Sequence, residues 1–174
     1  PEYRGYTFDV VTQDALEICT SATVRFMVAC MTIAINPKDR ISLATYNKYL
    51  GHSIEDQPSE QEAEWLTSLA LMQPEEVFNQ ILLHHTECNV PEEVPYVQAF
   101  HNQIIDYCSR KIADTALFLQ WWKDCGYKEN IALPQGADAI TIATIHKSKG
   151  LAYNVVILPY CHWQTTAKHY ATLW

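Results

Sequence analysis

Two strand-like segments near the C-terminal end constrain this chain more than any other feature. Residues 139–145 are rich in Ile and Thr, and 155–158 read Val-Val-Ile-Leu without interruption. An apolar run bounded by Asn154 and Pro159 suits a strand buried on both faces, as in the parallel sheets of α/β folds. A third strand-like stretch, 7–11, lies near the other end. Everything between has the punctuation of helices.

Ser21 or Thr20 can cap a helix that runs to residue 35, with Val24, Val28, Met31 and Ile35 on one face. Asn36-Pro37-Lys38-Asp39 interrupts it, and Pro37 suits the first turn of a second helix that reaches about Leu50 and stops at Gly51. Ser59 with Glu62 three positions later is a capping-box pattern; the helix it opens carries Trp65, Leu66, Leu69 and Met72. Pro74-Glu75-Glu76 starts another, with Val77, Ile81 and the pair His84-His85 near its end. Beyond the link between Pro91 and Pro95, one long helix is expected from about 96 to 125, with Ile104, Tyr107, Ile112, Leu117 and Trp121 among its apolar positions and Gly126 as its stop. The texture changes again at Pro134-Gln135-Gly136. The expected fold class is therefore mainly α with a small α/β part.

At 174 residues and 48% apolar content, the chain can fill a core and is not a disordered tail. It has no apolar run of about 18 residues, so no membrane span is expected, and Pro1-Glu2-Tyr3-Arg4 opens no secretion-signal pattern. Six cysteines, never closer than 11 residues, exclude CxxC redox and zinc-ribbon spacings and point to free thiols in a reducing cytosol. The net charge of −8 at first argues against nucleic acid. Its distribution changes that inference. No Lys or Arg occurs from 49 to 109, and that stretch holds 11 of the 20 acids; the rest of the chain balances at +3. From Pro134 onward there are three lysines and one acid, so the end of the chain is mildly basic.

The polar turn between the two C-terminal strand segments follows from this. Thr144-Ile145-His146-Lys147-Ser148-Lys149-Gly150 offers hydroxyls, an imidazole, two ammonium groups and backbone N–H groups, all donors suited to phosphate oxygens. Open α/β sheets bind ligands outside the carboxyl ends of their strands. With the flanking segments, residues 140–159 closely resemble motif V of the UvrD/Rep-type superfamily 1 DNA helicases, most of all the RecB/AddA-like branch. In that family a strand runs into Thr-x-His-x-x-Lys-Gly-Leu-Glu-Phe and then into a second strand; Thr144, His146, Lys149, Gly150 and Leu151 match that pattern here.

The resemblance implies a partial second RecA-like domain interrupted by a helical insertion. Residues 1–50 would form its first part, 51–126 the acidic insertion, and 127–174 the return carrying motif V. It implies that Thr144, His146, Lys147 and Lys149 contact DNA and that Ser148, Gly150 and Leu151 shape the turn. Ala152 stands at the nucleotide-facing position, where the family has a glutamate that approaches the nucleotide sugar; its side chain cannot accept a hydrogen bond. Tyr153 replaces the usual Phe. The parent protein would use ATP and Mg2+ to move along single-stranded DNA and unwind duplex in repair or recombination, in a bacterial-type cytoplasm near the nucleoid, with a possible partner subunit in a helicase–nuclease complex. No cofactor is expected on this stretch itself. A reading from another class is a non-catalytic, acidic helical module for protein interaction, or a degenerate helicase relic. Self-association through exposed sheet edges is a further expectation.

Other constellations read as packing. His84-His85-x-x-Cys88 with Glu87 resembles a metal cluster, but adjacent helical residues point roughly 100° apart, so at most one histidine shares a face with Cys88. Cys161 and His162 on an extended chain point to opposite faces. Phe118, Trp121 and Trp122 could stack on bases, although core packing of a helix explains them better. The acidic stretch reads as a solvated helical surface.

Phosphoryl transfer needs a phosphate cradle, a metal and an arginine together. The five glycines form no Gly-x4-Gly-Lys-Ser/Thr arrangement. There is no strand-borne Asp-Glu pair for magnesium, and the family's motif VI arginine would come after Trp174. This chain alone is expected not to hydrolyse ATP; DNA-stimulated phosphate release well above a buffer blank would refute that.

Overall fold

The computed structural model describes residues 2–3, 5–7, 9–12, 17–131, 139–146 and 148–159. Phe8, Lys147, the 134–136 break and the Cys161-His162 pair lie outside the described residues. The chain divides into two units, Pro1–Ile142 and Ala143–Trp174.

The first unit is mainly helical. Short strands β1 (Glu2–Tyr3) and β2 (Tyr6–Thr7) form an antiparallel pair. Strand β3 (Asp9–Thr12) pairs in parallel with β4 (Ala139–Ile142), in register from Asp9 with Ala139 to Thr12 with Ile142. Among the described residues between β3 and β4 lie six α-helices: α1 (Ala22–Ile35), α2 (Arg40–Tyr49), α3 (Glu60–Ser68), α4 (Pro74–His84), α5 (Val94–Arg110) and α6 (Thr115–Asp124). The Ile18 N–H donates to the Glu129 carbonyl at 2.9 Å, so the two ends of the helical body are joined.

Local chemistry accounts for most helix ends. The Ser21 hydroxyl oxygen accepts the Val24 N–H at 3.0 Å, and Asp39 accepts the Ser42 N–H at 3.0 Å. Ser59 accepts the Glu62 N–H at 3.3 Å. Each such cap satisfies a donor the helix leaves open and is worth about 1 kcal/mol. Gly51, at φ 75°, takes the left-handed conformation that ends α2. Pro37 lies outside α2, in the turn before Asp39; the aspartate, not the proline, starts that helix.

Helix α1 is the centre. Thr23, Val24, Phe26, Met27, Ala29, Cys30, Met31, Ile33 and Ala34 are all buried, and α2, α3, α4, α5 and α6 all pack on it. The single apolar face expected from Val24, Val28, Met31 and Ile35 is therefore too narrow; Ile35 is 41% exposed. Phe26 stacks on Tyr49 at 4.3 Å between ring centroids and on Tyr46 at 5.3 Å. At the other end of the core, Phe100 packs edge-on against Trp122 at 4.9 Å, and Tyr107 against Phe118 at 5.3 Å.

Two expectations need correction. The long helix at 96–125 is two helices, because Asp114 caps α6 by accepting the Leu117 N–H at 2.9 Å; Ile112, expected in the core, lies in the break at 74% exposure. The run 155–158 is irregular among the described residues. A strand buried on both faces is stable only with its edges bonded and both faces covered, and Val155 and Ile157 are 77% and 80% exposed. Gly126 stands just past the end of α6, as expected; it is a buried residue without positive φ, and two indoles close over it.

A β-carbon on Gly126 would lie 2.6 Å from Trp122 Cε3 and 2.9 Å from Trp121 Cζ3. Overpacking of this kind costs about 1–3 kcal/mol. Gly126→Ala should lower the urea midpoint accordingly when unfolding is followed by tryptophan fluorescence; an unchanged midpoint would show that the indoles yield freely.

Candidate functional site

In the second unit, the turn that resembles motif V is built from its own backbone. The Ser148 N–H donates to the Thr144 carbonyl at 3.0 Å, and the Leu151 N–H to the Ser148 carbonyl at 3.0 Å. The Ser148 hydroxyl donates to the Ile145 carbonyl at 2.9 Å. Gly150 sits at φ 85°, a conformation that side chains disfavour, so the glycine is required for this reversal. Thr144, His146, Lys149, Leu151 and Ala152 are exposed, and Ser148 is half-buried. Of the donors counted in the sequence, those of Ser148 and the Leu151 N–H are thus used to hold the turn. The side chains of His146 and Lys149 face solvent; Lys147, expected beside them, is outside the described residues.

A second constellation lies in the helical body; the sequence singled out its two histidines, with Glu87 and Cys88, but not Glu62. The Glu62 carboxylate on α3 meets both histidines at the end of α4: Oε2 is 3.4 Å from His84 Nε2, and Oε1 is 3.3 Å from His85 Nε2. The expected separation of the two rings fails because α4 ends at His84. His85 leaves the helix at φ −110°, ψ 90°, and the ring centroids come within 4.9 Å. Trp65 stacks on His84 at 4.0 Å and 12°. His85 is buried, edge-on to Phe26 at 4.9 Å and to Trp65 at 5.1 Å.

The hydroxyl of Tyr46 donates to Glu62 Oε1. That bond draws the carboxylate away from the second half of the capping box, so Ser59 caps α3 without reciprocation from Glu62. One signal for this was legible: Glu62, Trp65, Leu66 and Leu69 stand at i, i+3, i+4 and i+7, which puts an acid on the apolar face of α3.

Burial governs the acid–base chemistry here. Partial burial pushes the Glu62 carboxyl up, but the Tyr46 hydroxyl and the two histidines outweigh it and hold it below the usual carboxylate range. Burial lowers His85 against the opposing pull of Glu62. Burial likewise raises Tyr46 and, with Cys88 and Glu62 nearby, raises Cys30 well above an ordinary thiol. Cys88 is pushed up to about 11, mainly by burial.

The expected base-stacking candidates belong to the core: Phe118 and Trp122 are buried, and Trp121 packs against them. No family model matches this chain, and neither the curated proteins nor the solved structures contain a match to it.

Thiol reactivity follows thiolate character and access. Exposed Cys125 should therefore be alkylated by iodoacetamide at least ~10-fold faster than Cys30 in the native protein. Peptide mapping by mass spectrometry reads this directly, and early labelling of Cys30 would contradict the burial of α1.

Proposed function

We propose that this chain is the motif V-bearing part of a UvrD/Rep-type DNA helicase or helicase–nuclease subunit, a motor that couples ATP hydrolysis to movement along single-stranded DNA. One observation carries the reading. Thr144, His146, Lys149, Gly150 and Leu151 follow β4 in the chain, and β4 is the parallel partner of β3 from the other end of the sequence. Parallel strands separated by helices are the framework in which α/β proteins bind ligands beyond the carboxyl ends of their strands. The positive φ of Gly150 supports a tight reversal of the kind a backbone-binding turn needs. On this reading the six helices are an insertion in a second RecA-like domain. His146, Lys149 and Thr144 meet phosphates, and Ser148 braces the turn. ATP and Mg2+ would be held by parts of the motor outside this stretch. Contacts of this type position a strand without reading its bases.

A second reading has an observation of its own. Of the 11 acids between 49 and 109, only Glu62 and Glu93 are half-buried; the others are exposed on a helical body with its own core. That surface suits a basic protein partner, and the module would then act by docking.

Salt dependence separates the two. Each phosphate contact to a single strand contributes about 0.7 to the slope of log affinity against log salt. In fluorescence anisotropy with single-stranded oligonucleotides, Lys149→Ala should reduce that slope by about 0.7 and weaken binding by a similar factor for every sequence. An unchanged slope would remove the DNA assignment and leave the docking module. In the gene from which this chain derives, the helicase reading expects a phosphate-binding Gly-rich loop upstream and an arginine motif downstream.

A further inference from the structure

We propose that Glu62, His84 and His85 form a binding site for a divalent transition-metal ion of the Zn2+ class. One ligand atom from each lies within 4.8 Å of the other two. The Glu62–His84 and Glu62–His85 separations, 3.4 and 3.3 Å, match the roughly 3.3 Å edge of a tetrahedron with metal–ligand bonds of about 2.0–2.1 Å. Two imidazoles and a carboxylate are a donor set zinc accepts, with the fourth position left to water.

An independent observation points to a ligand. His85 Nε2 is buried and makes no hydrogen bond, although the side chain is only 7% exposed. A buried polar atom without a partner costs free energy of a size that proteins rarely leave uncompensated. Glu62 Oε1 lies 3.3 Å from it and already accepts the Tyr46 hydroxyl. A cation between them would give Nε2 the partner it lacks.

The surroundings are arranged as they are around metal ligands. Tyr46 fixes the Glu62 carboxylate, the Trp65 indole holds the His84 ring by stacking, and the Glu87 carboxylate stands 4.0 Å from His85 Nδ1. A carboxylate in that place favours the tautomer whose Nε2 lone pair is free to coordinate. Both histidines also sit at the C-terminal end of α4, the negative pole of that helix, where a cation is favoured. The site is independent of the motif V turn and does not rest on the DNA reading.

The test uses tag-free protein stripped with EDTA and titrated with Zn2+ by calorimetry, and with Co2+ for absorption spectroscopy. One equivalent should bind. Co2+ should show the visible bands of a four-coordinate N/O site without thiolate charge transfer. Losing a group that merely orients a metal ligand costs about 10–100-fold in metal affinity, so His84→Ala and Glu62→Gln, which remove ligand atoms, should each weaken binding by at least ~10-fold. His84 is 38% exposed on its side chain, so its removal should leave the far-ultraviolet circular dichroism unchanged even if a His85 variant does not fold. Absence of stoichiometric binding, equal affinity in the folded His84→Ala protein, or a thiolate band from Cys30 or Cys88 would overturn the proposal.

Discussion

The burial of α1 over most of its surface, with only the stripe of Ala22, Arg25, Val28, Thr32 and Ile35 reaching outward, is the constraint on which the rest of the first unit depends. A helix surrounded by others cannot send its open N–H groups to water, so its start must be satisfied by protein. Ser21 does this locally. The carboxylate of Glu93, from the link before α5, takes the Ser21 hydroxyl and the Thr23 N–H. An acid at that position also meets the positive end of the α1 dipole. The helices that cover α1 are thus tied to it at both scales, by apolar contact along its length and by one charge at its entrance.

This gives the acidic stretch more than one role. Most of its carboxylates are solvated on exposed faces, as a charge run usually is. Glu93 and Glu62 turn inward, and each meets a group that its surroundings leave in need of a partner: Glu93 the start of a buried helix, Glu62 a tyrosine hydroxyl and two imidazoles. The missing lysines and arginines have a consequence here, because no basic side chain from the stretch itself competes for these carboxylates. Net charge, taken as a whole-chain sum, conceals both arrangements.

What could be read from the sequence was local. Ser21, Ser59 and Gly51 do their work within a turn of themselves, and the structure has them where the sequence places them. Asp114 acts just as locally but is hidden, because Ile112 and Ala113 continue a helical pattern and only the backbone geometry shows that the chain has stopped and restarted. Non-local features were beyond reach for a different reason. The broad burial of α1 depends on which helices happen to pack on it. The 155–158 run has the composition of a covered strand, but composition cannot supply the cover. Glu62 with His84 and His85 joins two helices through a residue whose part in a cap masks its place on the apolar face of α3.

The turn at 144–151 shows how a motif and its geometry constrain each other. The positions that resemble the motif divide into those that hold the loop and those that face outward. Gly150 supplies a backbone angle, and Ser148 spends its N–H and hydroxyl on carbonyls of the same loop. A turn braced in this way presents His146 and Lys149 without needing contact from the helical body, which is consistent with its falling in a separate unit. Among its described residues, one ammonium and one imidazole on a small loop give little affinity alone. On the proposed helicase reading, tight binding to a polyanion therefore takes further cations, and the turn is one contact among several along a strand.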